Sequence, residues 1–390
     1  MGIKDLLKEI KKRLPGVQHD DVKLIQFKGC KIGFDVSIYA YTYMYAARGE
    51  SLEHQEDLRQ DPNPRIVRSC WLEHYMNLVM AMIECGITLV PVFDGPPFRL
   101  KQDTKDDREM SQNEREAKIA ELRFKLLDDP NNDLIKDDLR KTLQSHLIFS
   151  RDDWNALEEL MYSMGLPVIK GKYEAEAICA RLCRKGLVAG VMTNDGDCLA
   201  HGASIMIRNV KRNNRKSKEP LHTCQVILLQ NLLVSLEMSQ EKFVDFCILL
   251  GCDYVSRMKL CGWVAALKNL NGTGSLEAVV ALWKQKSRIT SDHRMLQPEL
   301  VKEIRGYFID DLDDCVPDFP LVINYIAGLG HCFDKHFISW ARDKLKQDVD
   351  KHIKTLTDFN QKFAAMQNFL LICKEDVGSA IFESKLSESM

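Results

Sequence analysis

The chain opens on residues 3–14, a stretch with apolar positions at helical spacing and a basic outer face, which Pro15 and Gly16 bring to an end. On its own this is a solvated amphipathic helix. The rhythm then changes. Lys31-Ile32-Gly33-Phe34-Asp35 is a short apolar run closing on an aspartate, and residues 86–95 repeat the pattern, ending Val92-Phe93-Asp94-Gly95. Residues 187–195 repeat it again, ending Thr193-Asn194-Asp195. Helical patterns separate these runs, over residues 67–85 and 154–164. Strands alternating with helices predict an α/β fold with a doubly wound, mostly parallel central sheet.

Residues 99–147 differ in texture. Residues 99–115 are highly charged and lack strong turn formers, and two helical patterns lie on either side of residues 128–133. This reads as a helical excursion that leaves the sheet directly after Asp94, where a lid or substrate gate belongs. A solvated insertion explains the same texture equally well. Residues 208–218 carry six basic residues and no acid. That suits contact with phosphate, and equally a disordered loop or a targeting signal. An apolar helix over residues 240–250 runs into Gly251-Cys252-Asp253-Tyr254, followed by a hairpin-like segment over 258–263 and a helix from Val264. Residues 271–390 read as helical, without chemistry of their own.

Composition narrows the picture only a little. At 390 residues the chain suffices for one large domain or two ordinary ones with a well-filled core. A net charge of −2 means that any site for a polyanion is a local basic patch. Thirteen scattered cysteines without CxxC spacing point to reduced thiols in an intracellular compartment, not to a disulfide scaffold or a zinc site. No apolar run approaches 18 residues and charge begins at Lys4, so neither a membrane span nor a signal peptide is expected.

Chemistry enters with the carboxylates. Tyr173-Glu174-Ala175-Glu176-Ala177 and Asn194-Asp195-Gly196-Asp197 place two acidic pairs with one short helix between them. Like charges sharing a site raise one another's pKa, so the four either point apart into water or hold hard metal ions, which prefer oxygen ligands. Residues two apart diverge in mid-helix; Glu174 and Glu176 converge only at a helix entry, where negative charge is also favoured. In doubly wound sheets ligands bind beyond the carboxyl ends of the strands, the edge to which Asp35, Asp94 and Asp195 would come. Each alone reads as a turn or helix cap; three beside the Glu pair favour a site.

In this order, the motifs resemble those of the structure-specific 5′ nucleases of the flap endonuclease and XPG superfamily, from Met1 to about residue 280. The residues that carry the resemblance are Met1-Gly2-Ile3-Lys4-Asp5-Leu6, Phe34-Asp35, Val92-Phe93-Asp94-Gly95, the two acidic pairs, and residues 246–254 ending in Asp253-Tyr254. The resemblance implies a PIN-like nuclease fold whose metal cluster is Asp35, Asp94, Glu174, Glu176, Asp195, Asp197 and Asp253. Asp94, Glu176, Asp195 and Asp197 would lie nearest two Mg²⁺ ions (Mn²⁺ able to substitute), with Asp35, Glu174 and Asp253 acting more through water. Lys101 and Arg108, seven residues apart, match the family's catalytic basic pair, alongside Asp94 and Asp195. Tyr41 matches the aromatic that stacks beside the scissile phosphate, and Arg48 lies near the substrate junction. Gly2, Lys211, Arg212, Arg215, Lys216 and Gly262 complete the implied nucleic-acid contacts.

The same resemblance divides the chain into a nuclease region (1–98), a helical arch (99–147), a second nuclease region (148–237), a helix–two-turn–helix (238–285) and a helical C-terminal region (286–390). It implies a Mg²⁺-dependent 5′ flap endonuclease with 5′–3′ exonuclease activity on branched DNA, monomeric, in the nucleus or at another site of DNA replication, a viral one included. A relative cutting four-way junctions, repair bubbles or structured RNA is the alternative, and a non-catalytic scaffold the third. Two departures stand out. Leu260-Cys261-Gly262-Trp263 keeps one glycine of the family's hairpin and lacks its basic pair, which counts against K⁺ there. The tail over residues 385–390 has no aromatic, which counts against a sliding-clamp partner.

Overall fold

The computed structural model describes residues 2–310 apart from 54, 97, 99, 214–221, 287 and 291–292, and of residues 102–108 and 163 it describes the backbone only. The expectations for Arg215, Lys216 and the C-terminal tail lie outside the described residues. Among these, seven strands form one sheet: β1 (Gln18–Lys23), β2 (Lys31–Asp35), β3 (Thr88–Phe93), β4 (Ile169–Lys170), β5 (Gly190–Met192), β6 (Ile205–Lys211) and β7 (Thr223–Leu228). Their spatial order is β1-β7-β6-β5-β2-β3-β4. From β6 to β4 every pairing is parallel, while β1 and β7 add an antiparallel edge. The sheet is thus doubly wound and mostly parallel, as the alternating pattern implied. The antiparallel edge was not legible, and Arg208 and Lys211 of the basic segment lie in β6, the strand to which that edge is paired.

The helices follow in chain order as α1 (Leu6–Arg13), α2 (Val36–Glu53), α3 (Pro64–Glu84), α4 (Gln102–Asp128), α5 (Asp133–Ser145), α6 (Arg151–Ser163) and α7 (Ala175–Arg184). Beyond them lie α8 (Asp197–Ala200), α9 (Leu229–Leu236), α10 (Gln240–Leu250), α11 (Trp263–Thr273), α12 (Leu276–Gln285) and α13 (Pro298–Ile309). The period of two along the central strands explains the layering. Val90, Val92 and Val191 turn to one face, where they pack with α1, α7 and the C-terminal helices through Ile178, Phe246, Trp283 and Phe308. Ile32, Phe34, Leu89 and Met192 turn to the other, against α2, α3 and α6 through Tyr39, Trp71, Tyr75 and Leu157. Strands buried on both faces read as unbroken apolar runs, which is why these were visible in the sequence.

Local chemistry sets several helix entries. Ser150 and Asp153 form a reciprocal capping box at α6, and Asn63 with Pro64 starts α3. Two buried hydrogen bonds hold α2 against α3: Tyr75 Oη donates to Val36 O at 2.6 Å and Trp71 Nε1 to Ala40 O at 3.1 Å. Val36 directly follows Asp35, so this contact steadies the end of β2. Tyr75→Phe keeps the ring and loses the bond, and should cost about 1 kcal/mol, measured as a lower denaturant midpoint with an unchanged slope. Helices α4 and α5 form the excursion after β3 and share a small core of Ile119, Leu122, Leu126, Leu139 and Leu143 with Leu52 of α2.

Candidate active site

Parallel strands that all end at one edge bring their C-terminal residues together. Asp35 is the last residue of β2, Asp94 follows β3, and Asp195 lies three residues beyond β5. Asp197 opens α8, and Asp253 follows α10. Glu174 is the N-cap of α7 and Glu176 falls in its first turn, the helix entry at which residues two apart converge.

Hydrogen bonds anchor Asp35, Asp94, Asp195, Asp197 and Asp253. Thr193, fully buried, donates from Oγ1 to Asp35 Oδ2 at 2.7 Å and accepts from the Asp195 N–H at 3.0 Å. Asp195 Oδ1 in turn accepts from the Asp197 N–H at 3.1 Å, and Asp94 Oδ1 from the Ala175 N–H at 2.7 Å. The N-terminal backbone closes the far side: Ile3 N–H donates to Asp197 Oδ1 at 2.6 Å and Gly2 N–H to Asp253 Oδ1 at 3.2 Å. Gly2 has φ +73°, and a Cβ there would stand 2.0 Å from Asp195 Oδ1 and 2.4 Å from Asp197 Oδ1. Only glycine fits.

Burial and mutual repulsion raise the acids. Asp35 is pushed up to about 8, first by burial and then by Asp94. Burial is also the largest cause for Glu176, Asp94, Asp195 and Asp197, with Glu174 repelling Glu176 and Asp195 repelling Asp197. Asp94 is surrounded by enough protein for that effect, yet its side chain keeps an exposed face toward solvent. Lys101, at the entry to α4, reaches in: its Nζ pairs with Glu174 Oε1 and lies 3.0 Å from Asp253 Oδ2. Burial would lower this ammonium, but Glu174, Glu176 and Asp253 raise it above its ordinary value.

The donor set is all oxygen and strongly anionic, so a hard divalent cation would relieve both the repulsion and the loss of water. Among the described residues no three His, Cys, Asp or Glu side chains form a ready-made ion cage. The residues present fit divalent metal ions.

The other sequence candidates separate. Tyr41 is exposed on α2, its ring edge-on to Phe149 at 5.0 Å. Arg48 is buried, and its Nε donates to Leu143 O at 2.9 Å, tying α2 to α5. Lys211, the last residue of β6, pairs with Asp21 at 3.0 Å, and Arg212 follows the strand. Gly262 caps α11, beside Leu260, which is exposed at φ +62°. Arg108 lies in α4, its side chain outside the described residues. Sequence reasoning assigned no role to two tyrosines. Tyr254 Oη and Tyr307 Oη both donate to Glu174 Oε2, the latter at 3.2 Å. Tyr254 adjoins Asp253 and was within reach of inference; Tyr307, in the apolar stripe of α13, reads as ordinary core.

Comparison with known proteins bears on most of the chain. Family models described as the XPG N-terminal domain and the XPG I-region match residues 1–115 and 165–253. Flap endonuclease 1 of Leishmania major is 30% identical over 315 residues, covering 79% of this chain and 73% of that one. The chain belongs to the XPG and flap endonuclease family. Flap endonuclease 1 of Salmo salar is 29% identical over 368 residues, with 91% and 87% covered. The catalytic core of Rad2 in complex with DNA substrate shares the fold, with a TM-score of 0.54 at 18% identity over 92% of this chain and 99% of that one. The two family stretches hold all seven carboxylates, Lys101 and Arg108; Tyr254 and Tyr307 fall outside both.

Proposed function

We propose that this protein is a metal-dependent, structure-specific nuclease that hydrolyses DNA phosphodiesters at the base of 5′ flaps and trims 5′ ends, in replication and repair. The observation that carries the reading is the set of seven carboxylates at one sheet edge with Lys101 reaching into it from the arch base. Relatives named Flap endonuclease 1 support it. Branched DNA is the partner we assign, bound by a monomer inside the cell, in the nucleus or wherever its DNA replicates.

Magnesium is the ion we assign, with manganese able to substitute; two such ions, when bound, supply an activated water and neutralise the attacking and leaving oxygens. Asp94, Glu176, Asp195 and Asp197 would hold them most directly. Asp35 and Glu174 have oxygens already engaged by Thr193, Lys101, Tyr254 and Tyr307, and with Asp253 they orient bound water. Lys101, and Arg108 one helical stretch on, stabilise charge on the phosphoryl oxygens. Tyr41 stacks on the base released beside the scissile phosphate, an interaction worth roughly 1–3 kcal/mol. Arg48 serves packing between α2 and the arch rather than phosphate contact.

Lys101→Ala should slow single-turnover cleavage about 10²-fold while DNA affinity changes by no more than about threefold. Equal loss of affinity would make Lys101 a phosphate anchor instead. A matched panel of 5′ flap, 3′ flap and four-way junction tests substrate choice. Cutting confined to the junction would move the protein to the junction-cutting alternative.

A further inference from the structure

The two oxygens of Glu174 are divided between different parts of the chain. Oε1 takes Lys101 from the arch base, and Oε2 takes Tyr254 and Tyr307. Tyr307 comes from α13, outside the stretches that define the family. Its ring stacks on Phe98 with centroids 4.2 Å apart and planes at 14°. Phe98 O accepts from the Lys101 N–H at 2.9 Å, so the ring that carries the Tyr307 hydroxyl also abuts the turn that carries Lys101. Arg294, just before α13, donates to Leu100 O at 3.3 Å in the same turn. At the other end of α13, the Arg184 guanidinium donates to Ile309 O and Asp310 O at 2.8 and 3.0 Å. Arg184 ends α7, the helix that Glu174 begins.

We propose that Tyr307 is a positioning residue for the nuclease centre: its hydroxyl fixes the Glu174 carboxylate and its ring fixes the turn bearing Lys101. Helix α13 thereby braces the acid and the base against each other. This rests on the nuclease reading above. A carboxylate buried beside an ammonium can still rotate about its side-chain bonds unless its second oxygen is also held. Two phenol donors on the second oxygen hold it in one orientation. Partners of this kind typically change activity or metal affinity by about 10–100-fold when removed.

Tyr307→Phe keeps the ring on Phe98 and removes the hydroxyl; Tyr307→Leu removes both. Four quantities decide: single-turnover cleavage of a 5′ flap, DNA affinity in EDTA, melting temperature, and Mn²⁺ binding followed by electron paramagnetic resonance. Tyr307→Phe should cleave about tenfold more slowly and bind Mn²⁺ more weakly, with affinity for DNA unchanged and melting temperature lowered no more than in Tyr75→Phe, which also loses one buried phenol hydrogen bond. Tyr307→Leu should lose further rate through Lys101. Wild-type rate and wild-type Mn²⁺ binding in Tyr307→Phe would overturn the proposal, as would a rate loss accompanied by a fall in melting temperature larger than that of Tyr75→Phe. Failure of the wild type itself to cut would sink the nuclease reading, and Mn²⁺ binding by the pair would still decide the role of Tyr307.

Discussion

Asp195→Asn is expected to cut DNA at least about 10²–10³-fold more slowly than the wild type, the scale on which one charge-stabilising group matters in catalysis. The substitution is nearly isosteric. The Asn carbonyl still accepts from the Asp197 N–H, the bond that Asp195 Oδ1 makes at 3.1 Å, and the Asp195 N–H still reaches Thr193. What disappears is one negative charge among buried carboxylates that repel one another. The variant should therefore melt at the same temperature or higher, and bind DNA as well or better because a charge facing the phosphates is gone. Loss of cleavage with retained folding and binding assigns the charge to chemistry. Cleavage within about threefold of wild type would contradict the site.

Gly2→Ala should cost cleavage about 10²-fold without unfolding the chain. A methyl group 2.0 Å from Asp195 Oδ1 cannot be accommodated, and neither carboxylate is the end of a long flexible side chain. The backbone must move, and with it go the bonds from Gly2 N–H to Asp253 and from Ile3 N–H to Asp197. A displacement of about 1 Å at reacting groups is enough for a loss of that size. Leu6 and Ile10 keep α1 in the core, so the melting temperature should barely fall. Gly16→Ala is the control: it shares a positive φ but meets nothing within 4 Å, and should leave cleavage unchanged. Equal effects at the two positions would show that backbone strain, not contact with the carboxylates, is what matters.

The carboxylate edge was legible because two simple rules coincided there. Buried parallel strands write apolar runs, and Asp35, Asp94 and Asp195 each close one. The convergence of Glu174 and Glu176 depended on where α7 begins, and the Tyr173–Glu174 entry supplied that. Strand β6 was missed because its buried start, Ile205-Met206-Ile207, is only three residues long and runs straight into the charged Arg208, Asn209 and Lys211; β7 was missed because Thr223 and Gln225 interrupt its short apolar pattern. Arg48 was placed near the substrate junction by resemblance alone, and resemblance says nothing about a guanidinium whose Nε donates to Leu143 O. Tyr307 lies more than 130 residues from Glu174. No local pattern encodes a hydrogen bond between a helix late in the chain and the N-cap of α7; only packing creates it.

The most direct test is cleavage of an end-labelled 5′ flap by the purified wild type, in Mg²⁺ and in excess chelator, with product lengths read at single-nucleotide resolution. The account predicts a cut at the junction of flap and duplex in Mg²⁺, none in chelator, and recovery when Mg²⁺ or Mn²⁺ is restored. Binding of the same flap without cutting in any divalent ion, or cutting that survives the chelator, would contradict it.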